Sequence, residues 1–279
     1  MALPEAPLIG IFDSGIGGLS VLRTLRQKLP QADIRYLADT RYTPWGDRSA
    51  AWVAARSLQL SAYLIDAGAD LVLVACNTAS TLAIAALRAR WPERLFVAVE
   101  PGIKPAAATS QSGRIAVLGT SATLNSARFG HLVEAHALDT TLLRLPCPGL
   151  ADAIERMGAS PFADQQLEAR LDALASTLKD AGVDTVVLAC THYPLVTQAL
   201  AQRLGPGVAL LDTADAVVQQ VLRLLGRHNT ASPADLSSTQ RLCLPRLLST
   251  GSPEGLQRAA RRWIDPVAKA DWLDLPDLA

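Results

Sequence analysis

The chain has 279 residues, 49% of them hydrophobic, and its 26 basic side chains balance 26 acidic ones. That length allows a large core and about two domains, while zero net charge, with no basic run longer than Arg261-Arg262, gives no electrostatic reason to expect nucleic acid or an anionic membrane as partner. Cys76, Cys147, Cys190 and Cys243 form no CxxC pair, a pattern unlike a zinc ribbon or a disulfide framework.

The N-terminus, MALPEAPLIG, lacks a basic region followed by an apolar one, and the most apolar stretch, 71–87, is interrupted by Asn77, Thr78 and Ser80. Neither secretion nor a membrane anchor is expected, and a reducing cytoplasm suits the unpaired thiols. Short β-rich runs then alternate with helical patterns, the signature of parallel βα units. The first run, Ile9 to Phe12, ends in Asp13-Ser14-Gly15-Ile16-Gly17-Gly18, and an amphipathic helix follows from Leu19 to Leu29. A second strand, Ile34 to Leu37, leads to Asp39 and a loop with Thr43-Pro44-Trp45-Gly46. A helix over 50–67 precedes the strand that ends at Cys76, a single helix is expected from Thr78 to Arg90, and a fourth strand, Phe96 to Val99, ends in Glu100-Pro101-Gly102.

The same order then restarts. Strands at 115–118, 142–145, 185–189 and 208–211 end at Gly119-Thr120, Pro146-Cys147, Cys190-Thr191-His192 and Asp212-Thr213, roughly 106 to 114 positions after their counterparts. DLVLVACNTAS and DTVVLACTHYP make the closest pair, with Cys76 matched to Cys190. The expected fold is α/β: two similar lobes, each a mainly parallel sheet flanked by helices, with the site in the cleft between them. The lobes are expected at 1–102 plus 212–279 and at 103–211. The tail has a helix to about Gly226, a polar loop from Asn229 to Ser238, a strand-like 242–249 that Pro245 should make an edge or irregular strand, and a helix over 254–263. It should pack back onto the first lobe, with Cys243 a buried structural thiol.

Ligands of parallel sheets bind beyond the strands' carboxyl ends, so Asp13, Ser14, Asp39, Cys76, Asn77, Thr78, Thr120, Cys147, Cys190, Thr191 and His192 are the candidates. The glycine loop at 15–18 can offer free backbone N–H groups to an anion, but the last glycine of a dinucleotide fingerprint would fall on Ser20. A helix start after each thiol should lower its pKa, and His192 and Asp13 are placed to hold or take a proton. A hydrolase would leave one thiol unexplained, a disulfide couple would shut substrate out from between the sulfurs, and a zinc site would have only Cys190 and His192 as a close ligand pair. Two opposed thiols suit removal of a proton from one face of a carbon and its return to the other, as in a racemase or epimerase. Of Lys28, Lys104, Lys179 and Lys269, only Lys104 is even arguably placed for a pyridoxal Schiff base, so no cofactor is expected. A non-catalytic two-lobed amino-acid-binding protein would explain the cleft but not the matched thiols.

DSGIGGLSVL, ACNTAS, VEPG, GTSATLNS, LACTHYP and the late STG, in this order and over nearly the whole chain, resemble the glutamate racemases of the aspartate/glutamate racemase superfamily. The resemblance implies a cofactor-independent, cytoplasmic isomerase that interconverts L- and D-glutamate and supplies the D-enantiomer for peptidoglycan, with no metal. It implies Cys76 (acting on the D-enantiomer) and Cys190 (acting on the L-enantiomer) as catalytic thiols, assisted by Asp13 and His192. It also implies that Asp13, Ser14, Trp45, Gly46, Asn77, Thr78, Thr191 and His192 hold the substrate, with weaker matches at Glu155 and Thr120. Trp45 departs from the tyrosine usual in the family. Glutamate rather than a related amino acid such as aspartate rests on the resemblance alone, and a homodimer stays open.

Overall fold

The computed structural model describes residues 7–157, 160–226 and 243–278. In chain order it runs β1 (Leu8–Asp13), α1 (Leu19–Lys28), β2 (Asp33–Ala38), α2 (Ala50–Asp66), β3 (Leu71–Val74), α3 (Asn77–Leu82), α4 (Ile84–Arg90), β4 (Leu95–Ala98) and α5 (Ile103–Thr109). It continues with β5 (Arg114–Gly119), α6 (Ser121–Leu124), α7 (Ala127–His136), β6 (Thr141–Pro146), α8 (Leu150–Glu155), α9 (Pro161–Asp180) and β7 (Thr185–Ala189). A 3₁₀ turn (Tyr193–Val196), α10 (Thr197–Leu204), β8 (Ala209–Leu211), α11 (Ala214–Leu224), β9 (Arg246–Ser249), α12 (Pro253–Trp263) and β10 (Ala270–Trp272) complete it.

Two sheets result, in the orders β10-β9-β2-β1-β3-β4 and β6-β5-β7-β8. Every strand pairing among the described residues is parallel, and the α/β class expected from the alternating pattern is what is found. Strands with helices on both faces must be apolar throughout. Every residue of β3 and β7 is buried accordingly. Helices start where the sequence supplies a cap: the Ser49, Ser126 and Ser160 hydroxyls accept from the N–H groups of Trp52, Phe129 and Ala163. Leu19, Val21, Leu22 and Leu25 bury the inner face of α1.

The strand orders locate the site. From β1 the chain first goes to β2 on one side and then to β3 on the other, so the switch in direction falls between β1 and β3. The second sheet repeats this with β6 and β7 on either side of β5. Helices leaving on opposite sides open a crevice beyond the strands' carboxyl ends at each switch. Asp13 and Cys76 stand at the first crevice, Thr120 and Cys190 at the second.

Several expectations are corrected. The stretch 78–90 forms two short helices, parted at the buried Ala83. Pro245 lies just ahead of β9, so its missing N–H removes nothing from the ladder, and β9 is an interior strand between β2 and β10. β10 was not expected at all. Cys243 is exposed, not buried, because it precedes β9 on a segment outside the sheet, where its N–H reaches the Pro30 carbonyl at 3.4 Å. The polar loop expected at 229–238 lies outside the described residues. No helix among the described residues is long and apolar enough to cross a membrane.

Candidate active site

Cys76 ends the β3 segment and caps α3; Cys190 ends the β7 segment, ahead of the 3₁₀ turn. Both are free thiols and both are buried. The Cys76 thiol donates to the Ser14 hydroxyl at 3.6 Å, and Ser14 in turn donates to Asp13 Oδ1 at 3.4 Å, so this thiol reaches its acid through a serine. Burial pushes the Cys76 thiol up to about 12, the Asp13 charge adds to the rise, and the Ala79 N–H and the Ser14 hydroxyl only partly oppose it. The expectation that a helix start would lower this thiol is therefore corrected. α3 is six residues long, and desolvation of the charged form outweighs what its N-terminus offers.

At the second sheet, Cys190 Sγ lies 3.7 Å from His192 Nδ1, and His192 Nε2 lies 2.6 Å from Glu155 Oε1. This is a thiol, a base and an orienting acid in series, the arrangement that activates a nucleophilic or proton-transferring sulfur. Burial works against the charged imidazole, but hydrogen bonds to Cys190 and Glu155, with their charges, raise His192 well above its ordinary value. Asp13 is also raised: burial pushes it up, against the opposing pull of His192, the Gly15 N–H and the Thr191 hydroxyl.

The two halves are tied directly to each other. Thr191 Oγ1 donates to Asp13 Oδ2 at 2.8 Å, and the Ser20 hydroxyl lies 3.1 Å from the Thr191 carbonyl. Glu155 Oε1 also accepts from the Ile16 N–H at 2.8 Å and from Thr43 Oγ1 at 3.4 Å. Such approach needs glycine in the loop after β1. A Cβ on Gly15 would sit 1.8 Å from Glu155 Oε1, and one on Gly17 would sit 2.6 Å from both His192 Nδ1 and Thr191 Oγ1. The loop first read as an anion cradle thus serves here to let one half of the chain close on the other.

The other candidates divide into two groups. Thr78 Oγ1 and Thr120 Oγ1 are 3.1 Å apart, bridging α3 and the α6 cap, and a Cβ on Gly46 would sit 3.0 Å from Thr120 Cγ2. Asn77 is buried, and its Nδ2 has no hydrogen-bond partner among the described residues; a buried unpaired donor at a strand's carboxyl end is suited to a polar ligand. Trp45 is 1% exposed, with its ring 6.5 Å from Phe12 and 5.5 Å edge-on from Trp52. Asp39, by contrast, is held by a buried ion pair: Arg56 Nη2 reaches Oδ1 at 2.6 Å and Nε reaches Oδ2 at 3.0 Å. Cys147 is half-buried, its thiol donating to the Leu145 carbonyl at 3.4 Å.

Residue-by-residue reasoning missed Glu155, which only the family pattern hinted at. Nothing in its surroundings at 150–157 marks it; its importance comes from where α8 carries it. Tyr36 was missed for the same reason: its hydroxyl donates to the Gly15 carbonyl at 2.7 Å and buttresses the loop. Among the described residues no group of three or more His, Cys, Asp or Glu side chains is placed to hold a metal ion.

A family model described as Asp/Glu/Hydantoin racemase matches residues 20–221. The chain belongs to that family. It is 39% identical over 254 residues to the glutamate racemase of Pseudomonas aeruginosa (strain UCBPP-PA14), covering 91% of this chain and 92% of that one. It is 40% identical over 253 residues to the glutamate racemase of Ectopseudomonas mendocina (strain ymp), covering 91% and 92%. Among solved structures, glutamate racemase isoform RacE1 from Bacillus anthracis superposes with a TM-score of 0.80 at 26% identity, covering 98% of this chain and 99% of that one. Escherichia coli glutamate racemase, in complex with L-glutamate and the activator UDP-MurNAc-ala, does so with 0.79 at 27%, covering 96% and 98%. The chain is an amino-acid racemase of the glutamate racemase kind, and the class of isomerase inferred from the doubled thiol is the class it falls in.

Proposed function

We propose that this racemase interconverts L- and D-glutamate by a cofactor-independent two-base mechanism, with Cys190 exchanging the Cα proton of the L-enantiomer and Cys76 that of the D-enantiomer. One thiol takes the proton from one face of Cα as thiolate, and the other, as thiol, delivers a proton to the opposite face. The observation that carries the reading is the pair of relays, Cys76–Ser14–Asp13 and Cys190–His192–Glu155, each beginning at the switch point of its own sheet. Asp13 and His192 are then the assisting groups, and Glu155 orients His192. Ser14, Asn77, Thr78, Thr191 and the 45–46 segment hold the amino acid, the unpaired Asn77 amide offering a donor to a substrate carboxylate. We also propose that residues 1–102 plus 212–279 and residues 103–211 form the two lobes, and that the enzyme acts in the cytoplasm, supplying D-glutamate for peptidoglycan.

The test follows L-glutamate by circular dichroism with extensively dialysed protein and no cofactor, in heavy water. Product D-glutamate should carry deuterium at Cα on first formation, while recovered L-glutamate stays largely protiated, because the abstracting thiol returns the proton it took. Cys76→Ala and Cys190→Ala should each abolish net racemisation. Near wild-type turnover by either folded variant would end the two-base reading. Preference for aspartate in the same assay would correct the substrate alone.

A further inference from the structure

The loop between β2 and α2 reaches the site at two points, Thr43 to Glu155 at 3.4 Å and Gly46 against Thr120. As a loop it has no sheet ladder to fix it. Its far side is held by the segment after β10. Arg41 Nη1 donates to Asp277 Oδ1 at 3.1 Å and to the Leu275 carbonyl at 3.3 Å, and the Tyr42 hydroxyl donates to the same Asp277 carboxylate. The Pro276 carbonyl accepts from Arg56 Nη1 and from Gln59 Nε2, both at 2.9 Å. Leu275 is buried in the apolar cluster that contains Trp45 and Cys76. The segment is itself registered on the sheet through the Leu273 N–H, which donates to the Ser249 carbonyl at 2.8 Å.

We propose that residues 273–277 are a strap that positions the 42–46 loop over the substrate site, with Asp277 as the positioning residue at its end. The proposal rests on the racemase reading above for what the loop contacts, and on geometry alone for what holds the loop. The Asp277 side chain is 72% exposed, and exposed ion pairs contribute little to global stability. Losing it should therefore leave the fold intact while releasing the loop. Cys76 and Cys190 lie just past β3 and β7, and Asp277→Ala leaves Leu275 in the cluster it shares with Cys76, so turnover of bound substrate should persist. An interaction lost equally from the ground and transition states raises KM and leaves kcat alone. Because the two enantiomers have equal free energy, the KM values for L- and D-glutamate must then rise by the same factor.

The experiment compares wild type, Asp277→Ala, Asp277→Glu, a chain ending at Leu273, and Asp271→Ala, whose exposed carboxylate on β10 pairs with Arg246 of β9 at 3.9 Å, outside the strap. Asp277→Ala should raise both KM values about two- to fivefold, a range set by what exposed pairs contribute, and the shortened chain should raise them further. In Asp277→Ala, kcat should stay within about twofold of wild type. Asp277→Glu should recover the KM, and Asp271→Ala should not move it. Amide hydrogen exchange at 42–46 should quicken in Asp277→Ala and in the shortened chain, a readout independent of activity. Unmoved KM and unmoved exchange in Asp277→Ala, or an equal KM rise in Asp271→Ala, would overturn the strap. If the shortened chain does not fold, Asp277→Ala and its glutamate rescue decide alone. A wild type that does not racemise glutamate refutes the functional reading, and the exchange measurement still decides the strap.

Discussion

Replacing Glu155 with glutamine tests the Cys190 relay while barely changing its shape. One oxygen of Glu155 serves His192 at 2.6 Å, the Ile16 N–H at 2.8 Å and Thr43 at 3.4 Å. A glutamine oxygen can keep the Ile16 bond, so the loop should stay in place. What disappears is the charge that helps hold His192 protonated, one of the causes that raise it. A hydrogen bond to a charged group contributes about 1.5–3 kcal/mol against about 0.5–1.5 kcal/mol for a neutral one. The difference of about 1–2 kcal/mol corresponds to a five- to thirtyfold loss of kcat/KM. Initial rates by circular dichroism, starting from each enantiomer, should fall by the same factor, since an equilibrium constant of unity ties the two kcat/KM values together. The alkaline limb of the pH profile should also move to lower pH, because the His192 value falls once Glu155 no longer supports it. A kcat/KM within about twofold of wild type, with an unmoved alkaline limb, would show that Glu155 only braces the loop.

Three further substitutions probe the surroundings. Gly17→Ala places a methyl 2.6 Å from His192 Nδ1 and Thr191 Oγ1; it should cost about 1–3 kcal/mol in urea unfolding and abolish most activity, and wild-type rates would show that the loop can shift without consequence. Arg56→Leu strips the buried Asp39 of its bidentate partner and should lower stability by about 3–5 kcal/mol, an effect that Asp39→Asn in the same chain should partly recover in thermal melts. Trp45→Phe removes an indole N–H that has no partner among the described residues; it should cost about 1–2 kcal/mol of packing with activity retained, and complete inactivity in a folded protein would give the indole a necessary role of its own.

The legible features were those written locally. Apolar runs that end at Asp13, Cys76 and Cys190 mark strands whatever surrounds them, and the order of elements implies parallel pairing because consecutive parallel strands need a crossover. The doubled cysteine strand carried most of the functional reading, since it puts a thiol just past the carboxyl end of an equivalent strand in each sheet. Contacts between distant segments were not legible. Glu155 meets Ile16 across 139 positions, and no spacing rule connects them. Asp39 sits at a strand's carboxyl end like the site residues, yet Arg56 from α2 claims it, and only the fold decides between those fates. The burial at Cys76 was hidden for a related reason: a sequence shows that a helix starts after the thiol, but not how completely water is excluded from it.

That exclusion of water has a measurable sign. The Cys76 thiol titrates at an ordinary value of 9.0 when unfolded and is pushed up to about 12 in the folded protein. Folding therefore tightens its hold on the proton, and the associated stability is fully present below pH 9 and is lost as pH rises from 9 towards 12. A single such group contributes a slope of about 1 kcal/mol per pH unit in that window. Cys147 titrates in the same sense, so the slope of wild type alone does not identify Cys76, but the difference between wild type and Cys76→Ala does. In urea unfolding at pH 8, 9, 10 and 11, the two stability curves should run parallel to pH 9 and converge above it, wild type losing stability faster. Curves parallel throughout would mean that the folded protein does not hold this sulfur as a neutral thiol. Convergence would have a consequence for the chemistry, because a thiol that keeps its proton across the neutral range leaves the free enzyme with a proton already in place at Cys76. In the two-base scheme that is the state required to accept L-glutamate at Cys190 and deliver to the opposite face, whereas D-glutamate requires the proton to have left Cys76 first.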